Sequence, residues 1–279
     1  MTTTKLRIKN HGPIREIQLN RPEVHNAFDA ELIARLEEAF LEVAADCSRS
    51  DELRGVLLTA EGKSFCAGAD LHYMKEIASF GEEENQKDAQ RLSRMFQAVH
   101  DCPVFVLARI QGAALGGGSG LVAAVDFALA AETAKFGFTE ARLGIIPAVI
   151  SPFVLARIGS AKARAYFPTG QIIPADEAER IGLVDRVVPP LELDAEVNRI
   201  CRALLTAGPI ASREAKRLAN DVGGLLPLGP VSWPELREMT SARIASLRGS
   251  PEGQEGMGAF FEKRPARWVE MPKMGDSSD

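Results

Sequence analysis

The sequence predicts an α/β fold with parallel strands. Short apolar runs such as Gly55-Val56-Leu57-Leu58-Thr59 and Val104-Phe105-Val106-Leu107-Ala108 read as strands buried on both faces. Segments of helical spacing alternate with them, the pattern of parallel strands joined by crossover helices. No strand signal follows Val187-Val188. The chain therefore divides into an α/β part, residues 1–190, and a helical part, residues 191–279.

In order, residues 5–19 read as two short strands about the Gly12-Pro13 turn. A polar loop follows, Leu19-Asn20-Arg21-Pro22-Glu23-Val24-His25-Asn26-Ala27-Phe28, and Asp29 is placed to cap the next helix. In that helix Leu32, Ile33, Leu36, Phe40 and Val43 share one face. After the strand at 55–59 comes a loop of small residues, Ser64-Phe65-Cys66-Ala67-Gly68-Ala69-Asp70-Leu71. Residues 72–101 read as charged helix, broken at Gly81-Glu82-Glu83-Glu84. The strand at 104–108, a glycine loop, and a strand at Phe127-Ala128-Leu129-Ala130 follow. Phe136 to Glu140 reads as an extended segment, and apolar sequence broken by Pro147 and Pro152 comes after it. In the last part Leu193, Val197, Ile200 and Leu204 share a helix face, Pro209 opens a helix, and 233–247 and 251–263 read as helices.

Composition narrows the function classes. A net charge of −5 argues against general nucleic-acid binding. The longest uncharged run, Ile110 to Val125, is too short and glycine-rich for a membrane span, and the N-terminus has no apolar signal segment. Cys47, Cys66, Cys102 and Cys201 form no CxxC pair, which fits reduced thiols in a cytoplasmic protein. The histidines lack zinc-ligand spacing, so no metal is expected.

The stretch Ala113-Ala114-Leu115-Gly116-Gly117-Gly118-Ser119-Gly120 joins a buried strand to a helix start. Free backbone N–H groups there favour negative charge. If the loops around Ala69 and Gly117 face each other, two N–H groups can hold one oxygen, an oxyanion hole. Gly117-Gly118-Ser119-Gly120-Leu121 fails the GxSxG pattern, and no nucleophile is evident, so enolate chemistry is favoured over acyl transfer. Glu140, set among Phe136, Phe138 and Ile146, is the candidate base, because apolar surroundings raise a carboxyl pKa.

Several segments together resemble the enoyl-CoA hydratase/isomerase (crotonase) family. They are Asn20-Arg21-Pro22 … Asn26-Ala27, Phe65-Cys66-Ala67-Gly68-Ala69-Asp70-Leu71, Gln111 to Gly118, Phe136-Gly137 … Glu140 … Leu143-Gly144-Ile145-Ile146-Pro147, Ala175-Asp176-Glu177-Ala178 … Gly182-Leu183-Val184, and Phe260-Phe261-Glu262-Lys263-Arg264-Pro265. The resemblance implies a spiral of ββα units with a C-terminal helical trimerisation region, and a homotrimer or homohexamer. It implies an acyl-CoA thioester as substrate, with coenzyme A entering as part of it and no separate cofactor. Carried over by position, Ala69 and Gly117 are the oxyanion donors and Glu140 the acid/base. The resemblance implies that Val24, Ala67, Asp70 and Leu71 lie beside the CoA moiety, and that Phe260 and Lys263 reach it from a C-terminal helix, often that of a neighbouring subunit.

Hydratases of the family usually carry a second glutamate two residues after the glycine triplet. Here that place is Gly120. Shifting a double bond needs only one shuttling base, whereas syn-hydration is commonly shared by two carboxylates. The segments Ile146 to Val154 and Ala69 to Met74 resemble bacterial methylglutaconyl-CoA and isohexenylglutaconyl-CoA hydratases, which often have glycine at that place. The expected reaction is therefore hydration of an enoyl-CoA. Isomerisation, decarboxylation and non-catalytic acyl-CoA binding stand as alternatives, and Asp70, His72, Tyr73 and Ser119 are the possible stand-ins for the second acid.

Overall fold

The computed structural model describes residues 4–225 and 233–269. The strands are β1 (Leu6–His11), β2 (Ile14–Leu19), β3 (Gly55–Ala60), β4 (Phe105–Ile110), β5 (Ala113–Leu115), β6 (Phe127–Ala131), β7 (Lys135–Gly137), β8 (Ile173–Pro174) and β9 (Arg186–Val188). The helices are α1 (Ala30–Arg49), α2 (Leu71–Ile77), α3 (Glu82–His100), α4 (Gly117–Ala124), α5 (Ser151–Tyr166), α6 (Ala175–Arg180), α7 (Leu193–Thr206), α8 (Pro209–Leu225), α9 (Trp233–Gly249) and α10 (Pro251–Phe261).

A six-stranded sheet runs β1-β2-β3-β4-β6-β9, and a three-stranded sheet runs β5-β7-β8. In the first, β1 and β2 are an antiparallel hairpin and every later pairing is parallel. This is the α/β arrangement the apolar runs predict. Asp29 caps α1 by accepting from Leu32 N, and Leu32, Ile33, Leu36, Phe40 and Val43 are buried as one face. Gly81 is the N-cap of α3, so the break expected in the charged segment is real. The second sheet has strands of two and three residues, below the length at which alternation can be read.

The two faces of the large sheet carry separate apolar clusters. One holds the helices α1, α3, α4 and α5. On the other, Ile14, Leu107, Leu129 and Ala131 meet Leu193, Val197 and Ile200 of α7. The change at 190/191 is thus a change from strands to helices and not an edge of the core. The later helices are tied on by polar contacts: Lys216 Nζ reaches Asp126 Oδ2 (2.6 Å) and Val104 O (3.0 Å). The Glu252 carboxylate accepts from Ile210 N (2.8 Å) and Ala211 N (2.7 Å), satisfying amides at the start of α8. Among the described residues, no helix is long and apolar enough to cross a membrane.

Candidate active site

The Ala69 amide, the first expected donor, is set by an isolated parallel bridge between Phe28 and Ala69. Phe28 N–H donates to Gly68 O (2.7 Å), and Asp70 N–H donates to Phe28 O (2.9 Å). Successive amides of an extended chain point to opposite sides. The Ala69 N–H therefore turns away from Phe28, and Ala69 is exposed. The second expected donor, Gly117, stands at the start of α4. The Gly116 N–H is taken by Gly137 O (2.8 Å), and the first bond of the helix is Gly120 N–H to Gly116 O (3.1 Å). Gly117 N–H is one of the orphan amides of that first turn.

The two loops do face each other. A Cβ added at Gly68 would lie 2.9 Å from Leu115 O and 3.7 Å from Gly117 N. One added at Gly118 would lie 2.1 Å from Cys66 O, an approach only glycine allows. Phe28 touches both donors: its backbone flanks Ala69, and its Cε2 would lie 2.9 Å from a Cβ at Gly117.

Glu140 completes the group. It sits in a 3-10 turn, Thr139–Leu143, that follows β7, and not at the end of an extended segment. The turn brings Glu140 Oε1 to 3.3 Å from the place of a Cβ on Gly116, next to the second donor. Among the described residues, Glu140 Oε2 is buried without a hydrogen-bond partner. Burial raises the carboxyl pKa, against a smaller opposing pull from its own amide. Phe136 and Phe138 are fully buried as expected, but Ile146 is 74 % exposed and does not shield the carboxylate. Pro147 and Ile150 are the buried residues of that segment instead.

Three of the four expected stand-ins for a second acid are engaged elsewhere. Ser119 is fully buried, accepts from Gly137 N (3.1 Å) and donates to Ala114 O (2.7 Å). Tyr73 donates its hydroxyl to Asp88 on α3. His72 is exposed on α2. Asp70 caps α2 and pairs with Arg21 at 3.0 Å. Burial works against its charge, yet the His72 and Tyr73 amides and Arg21 together hold its pKa below the usual range.

The residues expected at coenzyme A divide. Ala67 N–H donates to His25 O (3.0 Å), so the Ala67 loop adjoins the Val24 turn, and Leu71 stands 75 % exposed close by in sequence. The Asp70 carboxylate is turned inward to Arg21 and the helix cap, so its side chain is not offered to a ligand there. Phe260 and Lys263 are exposed at the end of α10, which packs on α8 and α9. Among the described residues, no hydrogen bond or ion pair joins them to Val24, Ala67 or Leu71. Sequence reading missed Phe28, Arg21 and Ile150. The polar loop that carries Arg21 was visible as a motif, but nothing in it names a partner.

The family profile described as enoyl-CoA hydratase/isomerase matches residues 9–271. The chain is 33% identical over 255 residues to a crotonyl-CoA hydratase of Syntrophomonas wolfei, covering 91% of this chain and 93% of that one. It is 33% identical over 255 residues to an enoyl-CoA isomerase/hydratase of Mycosarcoma maydis, covering 88% and 89%. A crystal structure of an enoyl-CoA hydratase from Shewanella pealeana superposes with a TM-score of 0.87 at 35% identity, covering 95% of this chain and 96% of that one.

Proposed function

The chain belongs to the enoyl-CoA hydratase/isomerase family, and from that premise we propose that it is an enoyl-CoA hydratase whose one working carboxylate is Glu140. The observation that carries this reading is the meeting of three groups: the Ala69 and Gly117 amides on facing loops, and the Glu140 carboxyl against Gly116 with Oε2 unpartnered. The two amides hold the thioester oxygen and stabilise the charge that develops on it. Glu140 takes a proton from water as the water oxygen bonds to C3, and the electrons of the double bond move toward the thioester oxygen. The enolate then collapses, C2 takes the proton from Glu140, and the carboxylate is restored. One hydrogen and one hydroxyl have been added. A branched glutaconyl-type acyl chain is the proposed substrate, on the resemblance of Ile146 to Val154 and Ala69 to Met74.

A second reading has its own observation. Gly120 has no side chain and abuts Ile150 and Phe96, so the site is equally built for a single shuttling base. Glu140 would then take a proton from C2 of a 3-enoyl-CoA and return it to C4. Incubation with crotonyl-CoA, 3-methylglutaconyl-CoA and a 3-enoyl-CoA, followed by absorbance of the conjugated thioester, separates the readings. Loss of absorbance means hydration, gain means isomerisation, and no change on any substrate means an acyl-CoA binder. The same proposal includes a homotrimer or homohexamer held through residues from 191 onward. The four cysteines, all buried and free, fit a cytoplasmic setting.

A further inference from the structure

The bridge that aims the Ala69 amide is a single pair, with no ladder on either side to hold its register. A second device holds the two segments together. Asp29 follows Phe28, Asp70 follows Ala69, and each of these carboxylates caps a helix with one oxygen. Asp29 Oδ1 accepts from Leu32 N (2.8 Å) at the start of α1, and Asp70 Oδ1 accepts from His72 N (2.7 Å) at the start of α2. The other oxygen of each turns to the same partner. Arg21 Nη2 lies 3.0 Å from Asp70 Oδ2 and 3.2 Å from Asp29 Oδ2. Arg21 Nη1 donates to Ala27 O, on the other side of Phe28. One guanidinium thus joins two helix caps and the backbone just before Phe28.

We infer that Arg21 is a positioning residue for the oxyanion hole, fixing the direction of the Ala69 N–H by clamping Asp29, Asp70 and Ala27. The inference rests on the reading that Ala69 and Gly117 form that hole. The clamp is built of a fork and not of charge alone. Its acceptors lie in different directions, which a planar guanidinium with several donors can meet and a single ammonium cannot. The Arg21 and Asp70 side chains are 12% and 6% exposed, so solvent screens the pair little. Lys5 Nζ, 2.7 Å from Asp29 Oδ2, shares the load on that carboxylate. The next segment is held independently: Asn26 Oδ1 accepts from Arg21 N (2.8 Å), and Asn26 Nδ2 donates to Glu61 O (2.8 Å) and Ser64 O (2.9 Å). Loss of the Arg21 side chain therefore leaves the loop anchored and the direction of the Ala69 amide to the two bridge bonds of Gly68 and Asp70 alone. A misplacement of about 1 Å at a reacting centre costs on the order of a hundredfold in rate.

The test compares CoA, which has no thioester carbonyl, with acetoacetyl-CoA, whose acidic C2 gives an enolate oxygen for the hole to hold. Binding of both is measured by calorimetry for the wild type, Arg21→Met, Arg21→Lys and Asp70→Asn, beside kcat and KM on whichever enoyl-CoA is turned over. Arg21→Met is expected to weaken acetoacetyl-CoA by roughly tenfold to a hundredfold and to lower kcat in step, with CoA affinity unchanged. Arg21→Lys should recover only part of both losses. Asp70→Asn keeps the oxygen that caps α2 and should give the same pattern in smaller degree, and it decides the matter if Arg21→Met does not fold. Equal weakening of CoA and acetoacetyl-CoA would make Arg21 a support of the CoA loops or of the fold, and overturns the inference. So does an unchanged preference for acetoacetyl-CoA in every variant. A wild type that binds acetoacetyl-CoA no tighter than CoA refutes the hole itself, and the role of Arg21 with it.

Discussion

Ile150 stands where a side chain on Gly120 would have to go. A Cβ at Gly120 would lie 2.3 Å from Ile150 Cγ2 and 3.1 Å from Phe96 Cε1. The place of a second carboxylate is thus closed by hydrocarbon. Gly120→Glu is expected to destabilise the protein by more than the about 1–3 kcal/mol of ordinary overpacking, because it also buries a charge. Adding Ile150→Ala should recover part of that loss. Urea midpoints of the two variants check this, and a Gly120→Glu protein as stable as the wild type would contradict it.

Glu140→Gln keeps the size of the side chain and removes its titration. Turnover should fall by roughly two to four orders of magnitude, the share of general acid–base catalysis, while acyl-CoA affinity changes little. Retention of most of the activity would mean that another residue handles the proton.

The raised pKa of Glu140 has two consequences of known sign. The base must be ionised, so turnover should rise with pH along a limb centred above the ordinary glutamate range, and Glu140→Gln should lack that limb. Stability runs the other way. The native state prefers the protonated form, so burial of the charge costs nothing below the ordinary glutamate pKa. The cost grows as pH rises from there through the raised value, and is then constant. The stability of Glu140→Gln relative to wild type should therefore increase over that window. Thermal melts across the acid range read it, and a difference that shrinks with rising pH would refute it.

Gly117→Pro deletes the second donor, but its Cβ would also meet Phe28 Cε2 at 2.9 Å. Gly117→Ala carries the same Cβ and keeps the N–H. The ratio of their turnovers isolates the hydrogen bond, and it should reach roughly a hundredfold or more. Equal turnover in two folded variants would remove Gly117 from the site.

Assembly can be read by sedimentation. The full chain should run as a trimer or hexamer, with Phe260 and Phe261, both mostly exposed in the single chain, covered in the assembly. A monomer at micromolar concentration would refute it.

What the sequence revealed and what it hid divide along physical lines. The face of α1 was legible because five apolar residues repeat at helical spacing, and β3 and β4 because buried parallel strands are continuous apolar runs. The facing loops followed from small residues after those strands. Glu140 could be singled out, but its setting could not: a 3-10 turn of five residues has no pattern of its own, and Ile146 and Ile150 look alike until the chain folds. Arg21 was hidden for another reason. Its partners Asp29 and Asp70 are far apart in sequence, and nothing in either carboxylate's neighbourhood shows that one guanidinium joins them.

The proposed active group draws on Phe28, Ala69, Gly117 and Glu140, held by pairings that span long stretches of chain: Phe28 with Ala69, Cys66 with Ala114, Gly116 with Gly137. Contacts of such separation form late, after loop closure has been overcome. During refolding the nearby β1–β2 hairpin and the isolated helices can be present while the hole is still open. Recovery of turnover should then lag recovery of helical circular dichroism, so that the enzyme times the completion of its own topology.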